Sequence, residues 1–150
     1  MNTFNEIKDF LETKKMAIAG ASRNPKKFGG IVLAGLKKKG FELYPVHPEA
    51  NEIEGIPCYR SVDDLPSGVD RLYIVTPPDQ TNGIVQQAVK RGISRIWIQQ
   101  KSETKEALEM VKDQNIPVIT GRCIMMFLEP VGGIHGFHRW LTRLFGSYPK

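Results

Sequence analysis

The 150-residue chain has 41% hydrophobic and 25% charged residues, ordinary proportions for a globular domain, which disfavours intrinsic disorder. Its net charge of +5 admits nucleic acid or an anionic small ligand, but the basic residues form small clusters (Lys14-Lys15, Lys26-Lys27, Lys37 to Lys39, Arg139 and Arg143) without interleaved aromatics, so they read as solvated surface. With no apolar run long enough to span a bilayer, neither nucleic acid nor a membrane is an expected partner. The N-terminus lacks the basic and apolar regions of a leader, so a cytoplasmic protein with Cys58 and Cys123 as reduced thiols is expected.

Thr3-Phe4-Asn5-Glu6 has capping-box spacing, and Phe4, Ile7, Phe10 and Leu11 then share one face, which predicts an N-terminal helix. Met16 to Ala19 reads as a buried strand. It runs into Gly20-Ala21-Ser22, a polar loop, and a helix to about Lys39 with Phe28, Val32 and Leu36 inward and Gly40 just past its end. Phe41 to Val46 is a second strand closed by His47-Pro48, and Glu49 to Pro57 a polar connection. Cys58-Tyr59-Arg60 is expected as a short third strand and Ser61-Val62-Asp63-Asp64 as a helical turn. Leu72 to Val75 is the next strand. Thr76 is expected to cap the helix after it, with Pro77 in the first turn, Ile84, Val85, Ala88 and Val89 inward, and Gly92 as its stop. Ile96-Trp97-Ile98 makes a strand ending in Gln99-Gln100, Ser102 to Gln114 a helix with Ala107, Leu108 and Val111 inward, and Pro117-Val118-Ile119 a last strand.

Apolar strands alternating with helices predict an α/β fold, a doubly wound and mainly parallel sheet with helices on both faces. After the apolar run Cys123 to Leu128 and a break at Pro130 and Gly132-Gly133, the residues Ile134, Phe137, Trp140, Leu141, Leu144 and Phe145 recur at helical spacing. Residues 130–150 are therefore expected to form an appended C-terminal helix on a single domain spanning 1–150. Its apolar stripe either docks on its own chain or makes a homodimer, with Trp140 and Phe145 as anchors.

In such a sheet, ligands bind at the carboxyl ends of the strands where strand order reverses. Three expected strand ends are unusual: Gly20-Ala21-Ser22, Val46-His47-Pro48 and Thr76-Pro77-Pro78. At the first, a tight turn into a helix aims backbone N–H groups and the positive helix end at one point, a site for phosphate. Gly20 lets the backbone approach closely, Ser22 offers a hydroxyl, and Lys26 and Lys27 supply charge. The second and third glycines of the dinucleotide fingerprint are absent at their usual spacing. At the second strand end an NAD enzyme carries Asp or Glu for the ribose hydroxyls; His47-Pro48 lacks that carboxylate and its repulsion toward a phosphorylated ribose, which tilts the choice to a phosphorylated adenosine. Pro77-Pro78 either forms an apolar shelf for a flat base or thin chain, or only starts a helix.

His135 and His138, near Glu129, read as a solvated helix face rather than metal ligands, and no metal site is expected. Cys123 beside Arg122 is either a thiolate-prone group or a small buried hydrophobe, and Cys58 is similar. No Ser/His/Asp order or carboxylate pair stands out, so no catalytic residue is assigned.

The ordered set Gly20-Ala21-Ser22, Lys27-Phe28-Gly29, Pro45-Val46-His47-Pro48, Gly55-Ile56-Pro57-Cys58-Tyr59, Thr76-Pro77-Pro78, Trp97-Ile98-Gln99 and Gly121-Arg122-Cys123-Ile124-Met125 resembles the small stand-alone CoA-binding proteins. That family is similar to the N-terminal CoA-binding domain of the succinyl-CoA synthetase α subunit, and the resemblance spans roughly residues 14 to 126. It implies a Rossmann-like fold that holds coenzyme A or an acyl-CoA, a small nucleotide ligand. By matching position, Gly20, Ala21, Ser22, Lys27, Phe28 and Gly29 would surround phosphates. His47 and Pro48 would border the adenosine, and Thr76, Pro77 and Pro78 the opposite wall. Members usually carry Asn where this chain has His47. The ligase domain of the synthetases, with its phosphorylated histidine, is missing, so binding without catalysis is implied. The alternative is an NAD(P)-binding redox enzyme or sensor.

Overall fold

The computed structural model describes residues 3–128. Helix α1 (Phe4–Glu12) is closed by the expected capping box: the Thr3 hydroxyl accepts from the Glu6 N–H at 3.2 Å, and the Glu6 carboxylate accepts from the Thr3 N–H at 2.7 Å. Then follow β1 (Lys15–Ala19), α2 (Phe28–Lys38), β2 (Glu42–Val46), a two-residue hairpin of β3 (Glu52–Ile53) and β4 (Ile56–Pro57), and a 3₁₀ turn (Val62–Asp64). The remainder is β5 (Arg71–Ile74), α3 (Pro78–Arg91), β6 (Arg95–Gln99), α4 (Lys105–Asp113), β7 (Val118–Arg122) and a second 3₁₀ turn (Ile124–Phe127).

Five parallel strands form one sheet in the order β2-β1-β5-β6-β7. The period-2 alternation of the strands divides the core. Met16, Ile18, Tyr73 and Trp97 face α1, α2 and the second 3₁₀ turn. Ala17, Ala19, Leu72, Ile74, Ile96 and Ile98 face α3 and α4. Both faces are thus covered, as the apolar strands require. The chain leaves β1 on one side for β2 and resumes on the other side with β5, so the switch in strand order falls between β1 and β5. The doubly wound architecture is as expected.

Several local expectations change. Cys58 to Arg60 is not a strand; only Tyr59 forms an isolated bridge, to Val46 at the sheet edge, while the connection before it holds the β3-β4 hairpin. Thr76 does not cap α3. Pro77 occupies the N-cap position and Pro78 the first helical one, because the Thr76 hydroxyl is engaged with Thr81 instead. Helix α4 starts at Lys105 rather than Ser102, since the Thr104 hydroxyl accepts the Ala107 N–H at 3.0 Å and fixes the N-cap there. The C-terminal helix expected over 130–150, the homodimer contact through it, and Glu129, His135 and His138 lie outside the described residues. Among the described residues, no helix is long and apolar enough to cross a membrane.

Candidate functional site

A cleft of about 1050 Å³ opens over the carboxyl ends of β2, β1, β5 and β6, at the switch point of the sheet. All eleven residues singled out from sequence line it: Gly20, Ala21, Ser22, Lys27, Phe28, Gly29, His47, Pro48, Thr76, Pro77 and Pro78. Lys26 does not, and Arg23 and Arg60 stand there as additional cations.

The first turn depends on two glycines. Gly20 has φ +101°, and a Cβ there would sit 2.6 Å from the Val75 carbonyl carbon and 2.8 Å from the Thr76 nitrogen, so the ends of β1 and β5 approach as closely as backbone permits. A Cβ on Gly29 would penetrate the Gly20 carbonyl oxygen. Gly29 thus does the close helix-to-strand packing that the fingerprint's third glycine performs elsewhere, from a later position. The Ser22 hydroxyl accepts the Asn24 N–H at 3.1 Å, and the Asn24 side chain accepts the Lys26 N–H at 2.9 Å, which shapes the loop into α2.

Electrostatically, α2 differs from its neighbours. The first turns of α1, α3 and α4 carry Glu6, Asp79 and Glu106, which suit the positive helix end. That of α2 has no acid, its N-cap is Lys27, and no side chain caps it. Orphan N–H groups and a lysine therefore meet at the rim of the cleft, an arrangement unfavourable to the bare helix and favourable to an anion.

At the end of β2, His47 Nδ1 accepts two backbone N–H bonds, from Glu49 at 3.0 Å and Ala50 at 2.9 Å. The imidazole is therefore neutral with its proton on Nε2. An asparagine oxygen can accept the same pair of bonds in an Asx turn, so His47 fills the acceptor role that the resemblance implies for Asn. Burial lowers the His47 pKa below 6.5, and the nearby Arg23 lowers it further, as does Arg60, against an opposing pull from Glu49. Arg60 braces the loop through the Pro48 carbonyl at 2.8 Å and the Asn51 side chain at 2.9 Å, while Arg23 pairs with Glu49 at 3.4 Å on the surface. Because the folded state binds this proton more weakly than the unfolded chain, stability from His47 is complete above about pH 6.5 and is lost as pH falls through its lowered folded value. NMR titration of the imidazole should give a midpoint below 6.5, and His47→Asn should abolish this part of the pH dependence; a midpoint at or above 6.5 would refute the assignment.

The opposite wall is fastened by hydroxyls. Thr81 donates to the Ser102 carbonyl at 2.7 Å, so its single proton is committed and Thr76 donates to Thr81 at 2.8 Å. The Ser102 N–H in turn donates to the Gln99 carbonyl at 2.9 Å. The ends of β5 and β6 and the start of α3 are linked into one wall. Cys123 is buried in the core and also reaches the lining; Cys58 is half-buried, and burial raises its thiol pKa. Among the described residues no cluster of His, Cys, Asp and Glu could hold a metal.

Sequence reasoning missed Arg23, Arg60, Gln99 and Ser102. Gln99 and Ser102 end or follow a fourth strand, and the rule that selected the other three strand ends finds them once β6 is placed in the same sheet.

The CoA binding domain family matches residues 14–129. The protein YneT of Bacillus subtilis is 27% identical over 120 residues, which cover 79% of this chain and 89% of YneT. The α subunit of an ADP-forming acetate–CoA ligase II from Pyrococcus furiosus is 29% identical over an alignment covering 94% of this chain; this chain spans only 32% of that subunit. An alignment that broad runs past residue 129, so likeness to the ligase is not confined to the stretch up to residue 126. Among solved structures, a conserved hypothetical protein from Pyrococcus furiosus is 41% identical with a TM-score of 0.73, covering 76% of this chain and 98% of its own. A hypothetical protein from Pyrococcus horikoshii is 29% identical with a TM-score of 0.79, covering 89% and 98%. With the switch-point cleft, the glycine-dependent first turn and a match over most of the chain in agreement, this chain belongs to the CoA binding domain family.

Proposed function

We propose that the chain binds coenzyme A or an acyl-CoA in this cleft and performs no chemistry on it. The observation that carries the reading is the acid-free N-terminus of α2, with Lys27 at the N-cap, opening on the switch-point cleft. Gly20, Ala21, Ser22, Lys27, Phe28 and Gly29 receive the diphosphate. His47 and Pro48 border the adenosine, with Arg23 and Arg60 close enough to favour a phosphorylated ribose. Thr76, Pro77 and Pro78 form the wall along which the arm runs. Binding without chemistry is supported by the lining: its one carboxylate, Glu49, is exposed and paired with Arg23, and its one imidazole has Nδ1 committed to two backbone donors. The ligase activity named for the longer relatives stays theirs.

Calorimetric titration with CoA, 3′-dephospho-CoA and NAD tests the reading. Micromolar or tighter binding is expected for CoA, weaker binding for the other two. Lys27→Ala should weaken CoA about 10-fold, the loss of one charge-assisted contact of about 1.4 kcal/mol. Binding of NAD with no binding of CoA would replace the proposal with a redox role.

A further inference from the structure

Gln99 ends β6, is only 4% exposed, and still lines the cleft. Its Oε1 accepts two hydrogen bonds, from the Tyr73 hydroxyl at 2.7 Å and from the Ile124 backbone N–H at 3.2 Å. A backbone N–H can only donate, so the carboxamide atom facing it has to be the oxygen. Tyr73 agrees with this orientation. Burial raises its phenol pKa well above 10, so the hydroxyl stays a donor. The flip of the amide is thus set by two groups from separate elements, β5 and the second 3₁₀ turn, and Nε2 is directed away from both. Nε2 is not among the buried polar atoms that lack a partner, and the open space beside Gln99 is the cleft. Two neighbouring groups are occupied: Thr76 donates to Thr81, and the Ser102 carbonyl already accepts from Thr81.

Position adds the ligand chemistry. β6 lies two strands from β1, roughly 10 Å at the usual spacing. A ligand with its diphosphate at the end of β1 and an extended arm past β5 brings the arm's carbonyls to β6.

We propose that Gln99 is the carbonyl-recognising donor of the cleft, with Nε2 hydrogen-bonded to an amide or thioester carbonyl oxygen of the ligand's arm. The inference rests on the coenzyme A reading above and assigns the far end of the same site.

Gln99→Glu retains an oxygen facing Tyr73 and Ile124 and, with the carboxylate ionised, removes the donor; Gln99→Met removes both functions. Each is titrated at pH 8 with CoA, acetyl-CoA and adenosine 3′,5′-bisphosphate, which lacks the arm, and folding is checked by thermal melting. The expected result is unchanged affinity for the bisphosphate with a loss of about 10-fold for an arm-bearing ligand. Equal losses for CoA and acetyl-CoA assign the contact to an arm amide, whereas a loss confined to acetyl-CoA assigns it to the thioester. Unchanged affinity for both in a folded Gln99→Glu protein overturns the inference while the coenzyme reading stands. A wild-type protein that binds none of the three overturns both.

Discussion

Replacing Gly29 by alanine is expected to destabilise the protein by about 2–4 kcal/mol, and to lower the melting temperature by about 10 °C, although intrinsic helix propensity favours alanine by up to ~1 kcal/mol. Geometry decides the sign. A Cβ at Gly29 would overlap the Gly20 carbonyl oxygen and press on the Ser22 nitrogen at 3.3 Å, and both are backbone atoms that no rotamer change can move away. The start of α2 would have to lift off the end of β1, which also distorts the turn proposed to receive the diphosphate, so ligand affinity should fall with stability. Gly83→Ala is the control. That glycine lies within α3, where a Cβ meets nothing within 4 Å, so propensity acts alone and the change should stabilise by up to ~1 kcal/mol. Urea denaturation of both variants tests the argument; a Gly29→Ala protein as stable as wild type would show that the close approach is not required.

Trp97→Ala should cost more, about 3–5 kcal/mol. Trp97 is wholly buried in β6, and its ring meets Phe10 of α1 at 5.5 Å, Tyr73 of β5 at 6.5 Å and Phe127 of the last 3₁₀ turn at 5.9 Å between centroids. Its indole N–H donates to the Arg122 carbonyl at 3.2 Å. Truncation removes a shared packing surface for three separate segments and leaves the Arg122 carbonyl without its indole donor. Trp97→Phe keeps the aromatic packing and should recover more than half of the loss. Equilibrium unfolding that finds Trp97→Ala within about 1 kcal/mol of wild type would mean that the core collapses around the cavity.

Much of this fold is legible in the chain because its signals are local. The Thr3-Glu6 capping box, the stop at Gly92, the apolar strands and the three strand-end motifs each lie within a few residues. The β3-β4 hairpin escapes because strands of two residues carry no alternation. Its turn places Glu54 at φ +53° and Gly55 at φ +76°, with only the glycine as a sign. Thr76 misleads for another reason. It has the composition of an N-cap, but its hydroxyl is captured by Thr81 in a buried chain that ends on Ser102. The site divides in the same way. The residues of the first turn announce themselves as a cluster, whereas the orientation of Gln99 depends on Tyr73 and Ile124, some 25 residues away on either side. The acceptor role of His47 likewise follows from where the backbone of Glu49 and Ala50 turns.

The threonine-serine chain also bears on how binding energy is distributed. Loops at strand ends are usually the parts of an α/β domain with the most freedom to lose when a ligand arrives. Here the wall formed by the ends of β5 and β6 and the start of α3 is held by the protein's own buried hydroxyls. Little disorder remains for a ligand to remove on that side, so favourable contacts made there translate into affinity without first being offset by ordering.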